Sequence, residues 1–195
     1  MTYTTNAGPR HKLKLSAALG LASVVALIAL PSHAMAAGSG GIGTGESSGV
    51  PSAGTTTPGS KAKLKNGIAI PPANAPTAVK RAIEAANSID DKPYDYGGGH
   101  ASWIDDGYDC SGTVSFALGK YGAKVLDAPM PSRSFMNWEE PGRGRWITTY
   151  SNSGHMYAVI AGLRLDTSMT PGDGPGWSKV QRDPTGFRVR HPAGF

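Results

Sequence analysis

The chain has 195 residues, of which 39% are apolar, enough for one folded domain with a real core plus appendages. Its 27 glycines and 15 prolines exclude an all-helical protein, and its single cysteine excludes an internal disulfide framework or a multi-cysteine zinc or iron–sulfur site. The net charge of +5 falls to +2 without Arg10, Lys12 and Lys14, which lie in a segment expected to be removed, and no aromatic-interleaved basic patch points to nucleic acid.

The N-terminus reads as a secretory signal peptide over residues 1–36. The basic residues Arg10, Lys12 and Lys14 precede an apolar run from Leu15 to Leu30, and Ala34-Met35-Ala36 forms a small-x-small cleavage site. The run is shorter than the roughly 20 residues of a comfortable transmembrane helix, which favours cleavage over a stable membrane anchor. An uncleaved anchor is the alternative. Residues 37–72 read as a tether: Gly, Ser and Thr dominate to about Ser60, with almost nothing apolar to offset ordering entropy. Within it, residues 61–72 contain the short apolar patch Gly67-Ile68-Ala69-Ile70, which reads equally as an edge strand or as more linker.

Order is expected from residue 73 to the C-terminus. Pro76 suits a helix start, and Val79, Ile83 and Ala86 follow at helical spacing, with an end near Ile89. Asp90-Asp91-Lys92-Pro93 breaks this helix, and Tyr94 to His100 forms a glycine loop with no Walker lysine to make it a phosphate site. The second helix is expected to begin near Cys110. Val114, Ala117, Leu118 and Tyr121 lie on one face, with Gly122 as the stop. A cysteine at a helix start sits beside free N–H groups and the positive dipole end, which favours thiolate over thiol. The bland alternative is a small apolar residue in the core.

The last third is β-rich. Residues 146–150, 156–160, 163–165 and 187–190 are short runs divided by turn residues and suggest an antiparallel meander. Helices first and strands later give an α+β domain.

Three histidines lie outside the signal segment: His100, His155 and His191. If Ala161-Gly162 is a two-residue hairpin loop, Ile160 pairs with Leu163, Tyr157 with Asp166 and His155 with Ser168. His155 and Asp166 are then diagonal neighbours on one face, within reach of an imidazole. In that arrangement His155 takes the thiol proton of Cys110, and Asp166 holds the ring and stabilises its cation. A three-residue loop would put the two on opposite faces, leaving His155 an ordinary sheet residue. His100 and His191 are rival bases.

Three blocks together resemble the NlpC/p60 family of cysteine peptidases, a papain-like group that cuts stem peptides in bacterial peptidoglycan. They are Pro93-Tyr94-Asp95-Tyr96-Gly97-Gly98, Tyr108-Asp109-Cys110-Ser111-Gly112, and the run from Gly154-His155 to Ala161-Gly162. The resemblance covers roughly Ala75 to the C-terminus. It implies a papain-like fold with the nucleophile at the N-terminus of a helix packed on an antiparallel sheet. It further implies Cys110 as nucleophile, His155 as base, Asp166 as third polar residue, and Tyr94, Asp109 and Ser111 lining the stem-peptide pocket. The backbone N–H of Cys110 would contribute to an oxyanion hole. There are departures: Tyr96 stands where an indole is common, the third residue is acidic where a histidine is frequent, and Gly99-His100 extends the loop. The expectation is a secreted or cell-wall-associated bacterial endopeptidase, monomeric, with no metal, cofactor or nucleic-acid partner, cleaving D-glutamate from the diamino acid. An amidase cutting the sugar–peptide bond and an inactive wall-binding module are the alternatives.

Overall fold

An Asn-Gly dipeptide makes the first hairpin turn of the described chain. In the computed structural model, which describes residues 55–169 and 174–195, Asn66 and Gly67 both have positive φ (51° and 83°) and close a hairpin. Two left-handed residues match the twist of paired strands, the reason Asn-Gly favours such turns. The strands are β1, Lys63–Lys65, and β2, Ile68–Ile70. Of the two readings left open for residues 61–72, edge strand or linker, the hairpin takes the strand. Ala69 is buried, and the Asn87 side chain grips its backbone, donating to the carbonyl at 2.8 Å and accepting from the N–H at 3.1 Å. The Ala62 N–H bonds the Ala161 carbonyl at 2.8 Å. A boundary at residue 72 therefore cuts through packed structure. The signal segment and the tether up to residue 54 lie outside the described residues.

Helix α1, Thr77–Asn87, starts behind Pro76 and buries Val79, Ala82, Ile83 and Ala86. Helix α2, Cys110–Leu118, is buried on all sides from Ser111 onward, as expected of a short helix held in a core. It ends at Gly119, a turn before the expected stop at Gly122. The carbonyls of Ala117, Leu118 and Gly119 are taken by the N–H groups of Ala123, Val125 and Lys124, so the last turn closes on the following loop. A side chain at 119 would collide with the Trp103 ring. Tyr121 consequently leaves the helix, half-exposed, and stacks on Phe116 with ring centres 5.6 Å apart. A single turn, α3, spans Ser132–Phe135.

The remaining strands are β3 (Glu140–Pro141), β4 (Ile147–Ser151), β5 (Met156–Ile160), β6 (Leu163–Asp166), β7 (Gly176–Ser178) and β8 (Arg188–His191). They form one antiparallel sheet in the order β3-β8-β4-β5-β6-β7. β4, β5 and β6 form the expected meander, and β7, not among the expected runs, extends it. β8 departs from it by returning to lie between β3 and β4. Residues alternate between the faces. Ile147, Met156, Ala158, Ile160, Leu163 and Leu165 enter the core with Val79 and Ile83 of α1 and Val114 and Leu118 of α2. Thr148, Tyr150, Tyr157, Val159, Arg164 and Asp166 alternate with them on the other face. The result is a mixed α and β domain in which α2 packs on β5 and β6. Among the described residues, no helix is long and apolar enough to cross a membrane.

Candidate active site

Cys110 is the first residue of α2, half-buried and unpaired. The helix start is fixed by Asp109, whose Oδ1 accepts the Gly112 N–H at 2.7 Å, the usual way a short carboxylate satisfies a first-turn donor. The glycine loop packs directly against this turn. Asp109 Oδ2 accepts the Gly97 N–H at 3.2 Å, and the Asp109 N–H bonds the Gly98 carbonyl at 3.2 Å. A Cβ at Gly112 would run into the Gly98 carbonyl and lie 3.1 Å from the Gly99 Cα, so only glycine permits this approach. The loop and the helix start are thereby one rigid wall beside the sulfur.

His155 precedes β5, its backbone N–H held by Asn152 Oδ1 at 2.8 Å. The Ala161-Gly162 loop is the two-residue hairpin expected, with φ of 47° and 88°, and Ile160 pairs with Leu163. That register carries His155 and Asp166 to the same face, where Nε2 donates to Asp166 Oδ1 at 3.0 Å. Among the described residues, the other ring nitrogen, Nδ1, makes no hydrogen bond. Burial works to lower the imidazole pKa. The hydrogen bond to Asp166, the nearby Cys110 and the negative charge of both outweigh it and carry the pKa up to about 9.

Asp166 is almost fully buried and well partnered. Oδ1 also accepts the Ser168 N–H at 3.0 Å and its hydroxyl at 2.9 Å, while Oδ2 faces Arg164 Nε at 3.4 Å and Arg182 Nη1 at 3.5 Å. Burial pushes its pKa up, but the His155 bond and charge and the Ser168 bonds hold the carboxyl below the usual range. Arg164 Nε is buried and makes the ion pair without an aligned hydrogen bond. The cations around Asp166 were not singled out from the sequence, although the same register places Arg164 on its face.

Cys110 opens onto a cleft of about 440 Å³ whose lining includes Tyr94, Tyr96, His100, Asp109, Ser111 and Arg133. Tyr94 is partly exposed there, and burial and the anionic neighbours Cys110 and Asp109 raise its pKa. Asp109 and Ser111 line the cleft too, yet both are buried and spend their polar atoms on local structure: the Ser111 hydroxyl donates to Asp109 Oδ1 at 3.0 Å. His100, a rival base, joins this cluster. Its Nε2 lies 3.0 Å from Asp109 Oδ1 and 3.1 Å from Ser111 Oγ. His191 sits elsewhere, on β8 beside the Gly142 carbonyl. Among the described residues, no cluster of three histidine, cysteine or carboxylate side chains is placed to hold a metal ion.

No family model matches the chain, and no curated protein matches it. Among solved structures, a mutated form of the Resuscitation Promoting Factor Interacting protein RipA is similar at 24% identity and a TM-score of 0.43, over 67% of this chain and 71% of that one.

Proposed function

We propose that the protein is a secreted peptidoglycan endopeptidase of the NlpC/p60 type with a papain-like catalytic domain, hydrolysing the bond between D-glutamate and the diamino acid of stem peptides through an acyl-enzyme at Cys110. The observation that carries this reading is the line Cys110–His155–Asp166, with an imidazole whose pKa of about 9 leaves it cationic at neutral pH. A cationic His155 favours the thiolate beside it. The thiolate attacks the stem-peptide carbonyl carbon, and the electron pair of the C=O bond moves to oxygen. First-turn N–H groups of α2, that of Cys110 among them, stabilise the resulting oxyanion. As the tetrahedral adduct collapses, the C–N bond breaks and His155 gives its proton to the leaving amine. Neutral His155 then takes a proton from water, whose oxygen attacks the thioester and releases Cys110.

Asp166 keeps the ring oriented and its cation stable, and Tyr94 offers a partly exposed aromatic surface in the cleft for the peptide. Asp109 and Ser111 act on substrate chiefly by holding the wall in place. None of these steps calls for a metal.

The test is mass spectrometry of a disaccharide tetrapeptide incubated with the wild-type and Cys110→Ala proteins. Release of the disaccharide-dipeptide and the remaining dipeptide by the wild type alone is the expected result. A product retaining the whole stem peptide would identify an amidase instead, and turnover by Cys110→Ala would sink the proposal.

A further inference from the structure

A second cleft, sharing no lining residue with the one at Cys110, lies elsewhere on the domain. It measures about 470 Å³, and its floor is the outer face of the sheet, with Thr148, Tyr150, Tyr157 and Val159 alternating along β4 and β5. Its rim carries four cations, Lys61, Arg143, Arg145 and Arg182, and no carboxylate lines it. The nearby Asp183 turns into its own loop, accepting the Thr185 N–H at 2.9 Å and hydroxyl at 2.8 Å. Among the described residues, Lys61, Arg143 and Arg145 enter no ion pair, so their mutual repulsion is uncompensated within the protein.

Two of the guanidinium groups are held by aromatic faces. Arg145 lies over the Trp146 ring at 5.4 Å, and Arg182 over Tyr157 at 6.0 Å and Phe187 at 5.6 Å. Stacking fixes the plane of the guanidinium and reduces the freedom lost when its N–H fork binds an oxyanion. A cleft of this volume is in the range of small-molecule sites, roughly 300–1,000 Å³, and holds more than one charged group.

We propose that this cleft is a second binding site, for an anionic chain bearing singly charged phosphodiester or carboxylate groups at intervals, which spans the four cations on the outer face of the sheet. The site stands on Lys61, the 143–146 turn and Arg182, and does not depend on Cys110 being a nucleophile. Its role is retention: an enzyme or a binding module that grips an anionic polymer here keeps the Cys110 cleft free.

The experiment is titration of the full chain at low salt with a glycerol phosphate oligomer, whose phosphates are singly charged diesters, and with oligogalacturonate of matched charge, followed by tryptophan fluorescence and equilibrium dialysis. Saturable binding of the glycerol phosphate oligomer or of oligogalacturonate is expected, and which of them binds distinguishes phosphodiester from carboxylate. The Arg143→Gln/Arg145→Gln double variant, whose side chains are exposed, should melt like the wild type and bind at least tenfold more weakly. Arg133→Gln, at the Cys110 cleft, should bind as the wild type does. The proposal is overturned by absence of saturable binding to either probe, by unchanged affinity in the double variant, or by an equal loss in Arg133→Gln.

Discussion

Replacing Asp166 by asparagine removes one negative charge at the point where three cationic groups converge, and the consequence is calculable for His155. The interval between the ordinary imidazole pKa of 6.5 and about 9 corresponds to about 3 kcal/mol of preference for the cation, shared between Asp166 and Cys110 and already net of burial. The side chain is 21% exposed, so solvent screens part of this and the figure is a ceiling. The substituted amide keeps the shape of the carboxylate and can still accept the Nε2–H, but without the charge the imidazole pKa returns toward 6.5. At about 1.4 kcal/mol per tenfold, loss of most of this preference costs about tenfold to a hundredfold in kcat/KM above neutral pH, where the acid that protonates the leaving amine is depleted. The assay is the pH profile of kcat/KM on the disaccharide tetrapeptide, beside a ¹⁵N-imidazole titration of His155 by NMR. The wild type should lose activity as pH rises through about 9, and Asp166→Asn should lose it well below that. An Asp166→Asn protein whose His155 still titrates near 9 would refute the reasoning, because the charge of Asp166 would then not be what holds the proton.

The remaining expectations concern stability and the same site. Because His155 has a raised pKa when folded, its contribution to stability is full below pH 6.5 and is lost as pH rises through about 9; urea midpoints of the wild type should fall over that window, and those of His155→Gln should not. Asp166 has the opposite sign: its lowered pKa gives stability that is present above 3.8 and lost on acidification, which acid titration of Asp166→Asn against the wild type reads out. Cys110→Ala should leave the fold intact while lowering the His155 pKa, since the thiol contributes to raising it, and NMR titration measures this without turnover. Asp109→Ala removes the cap on the Gly112 N–H together with the Gly97 bond, and should cost about 1–2 kcal/mol in denaturant unfolding. Gly112→Ala drives a methyl group into the Gly98 carbonyl and should cost more, about 1–3 kcal/mol, with loss of the loop–helix contact visible as faster amide exchange at Gly97.

What was legible in the sequence was what local chemistry decides. The Ala161-Gly162 loop fixes a register, and a register fixes which side chains share a face, so the His155–Asp166 pair follows from counting. The same logic applied to Asn66-Gly67 would have found the β1–β2 hairpin, whose dipeptide is the stronger turn signal of the two. What was not legible depends on distant partners. Helix α2 stops at Gly119 because Trp103, from another loop, occupies the space a side chain would need there. Ala69 is ordered by Asn87, a residue whose helix-end position gives no hint that it also accepts the Trp177 indole N–H at 2.9 Å. β8 enters the sheet between β3 and β4 by a pairing that no local pattern encodes.

Arg182 shows how far such non-local assembly reaches. It lies on a polar stretch that reads as loop, yet its guanidinium donates to the Ser168 hydroxyl at 2.7 Å, stands 3.5 Å from Asp166 Oδ2 and lines the outer cleft. The carboxylate that raises the His155 pKa is therefore shared with a cation whose other side faces solvent and any anion held there. Such an anion would compete with Asp166 for Arg182 rather than for His155. Weakening the Arg182 contact leaves more of the Asp166 charge for the imidazole, so an occupied outer cleft should support the His155 cation rather than weaken it. Two clefts on one sheet can in this way be electrostatically linked without any movement of the backbone, through one buried carboxylate and the two cations on either side of it.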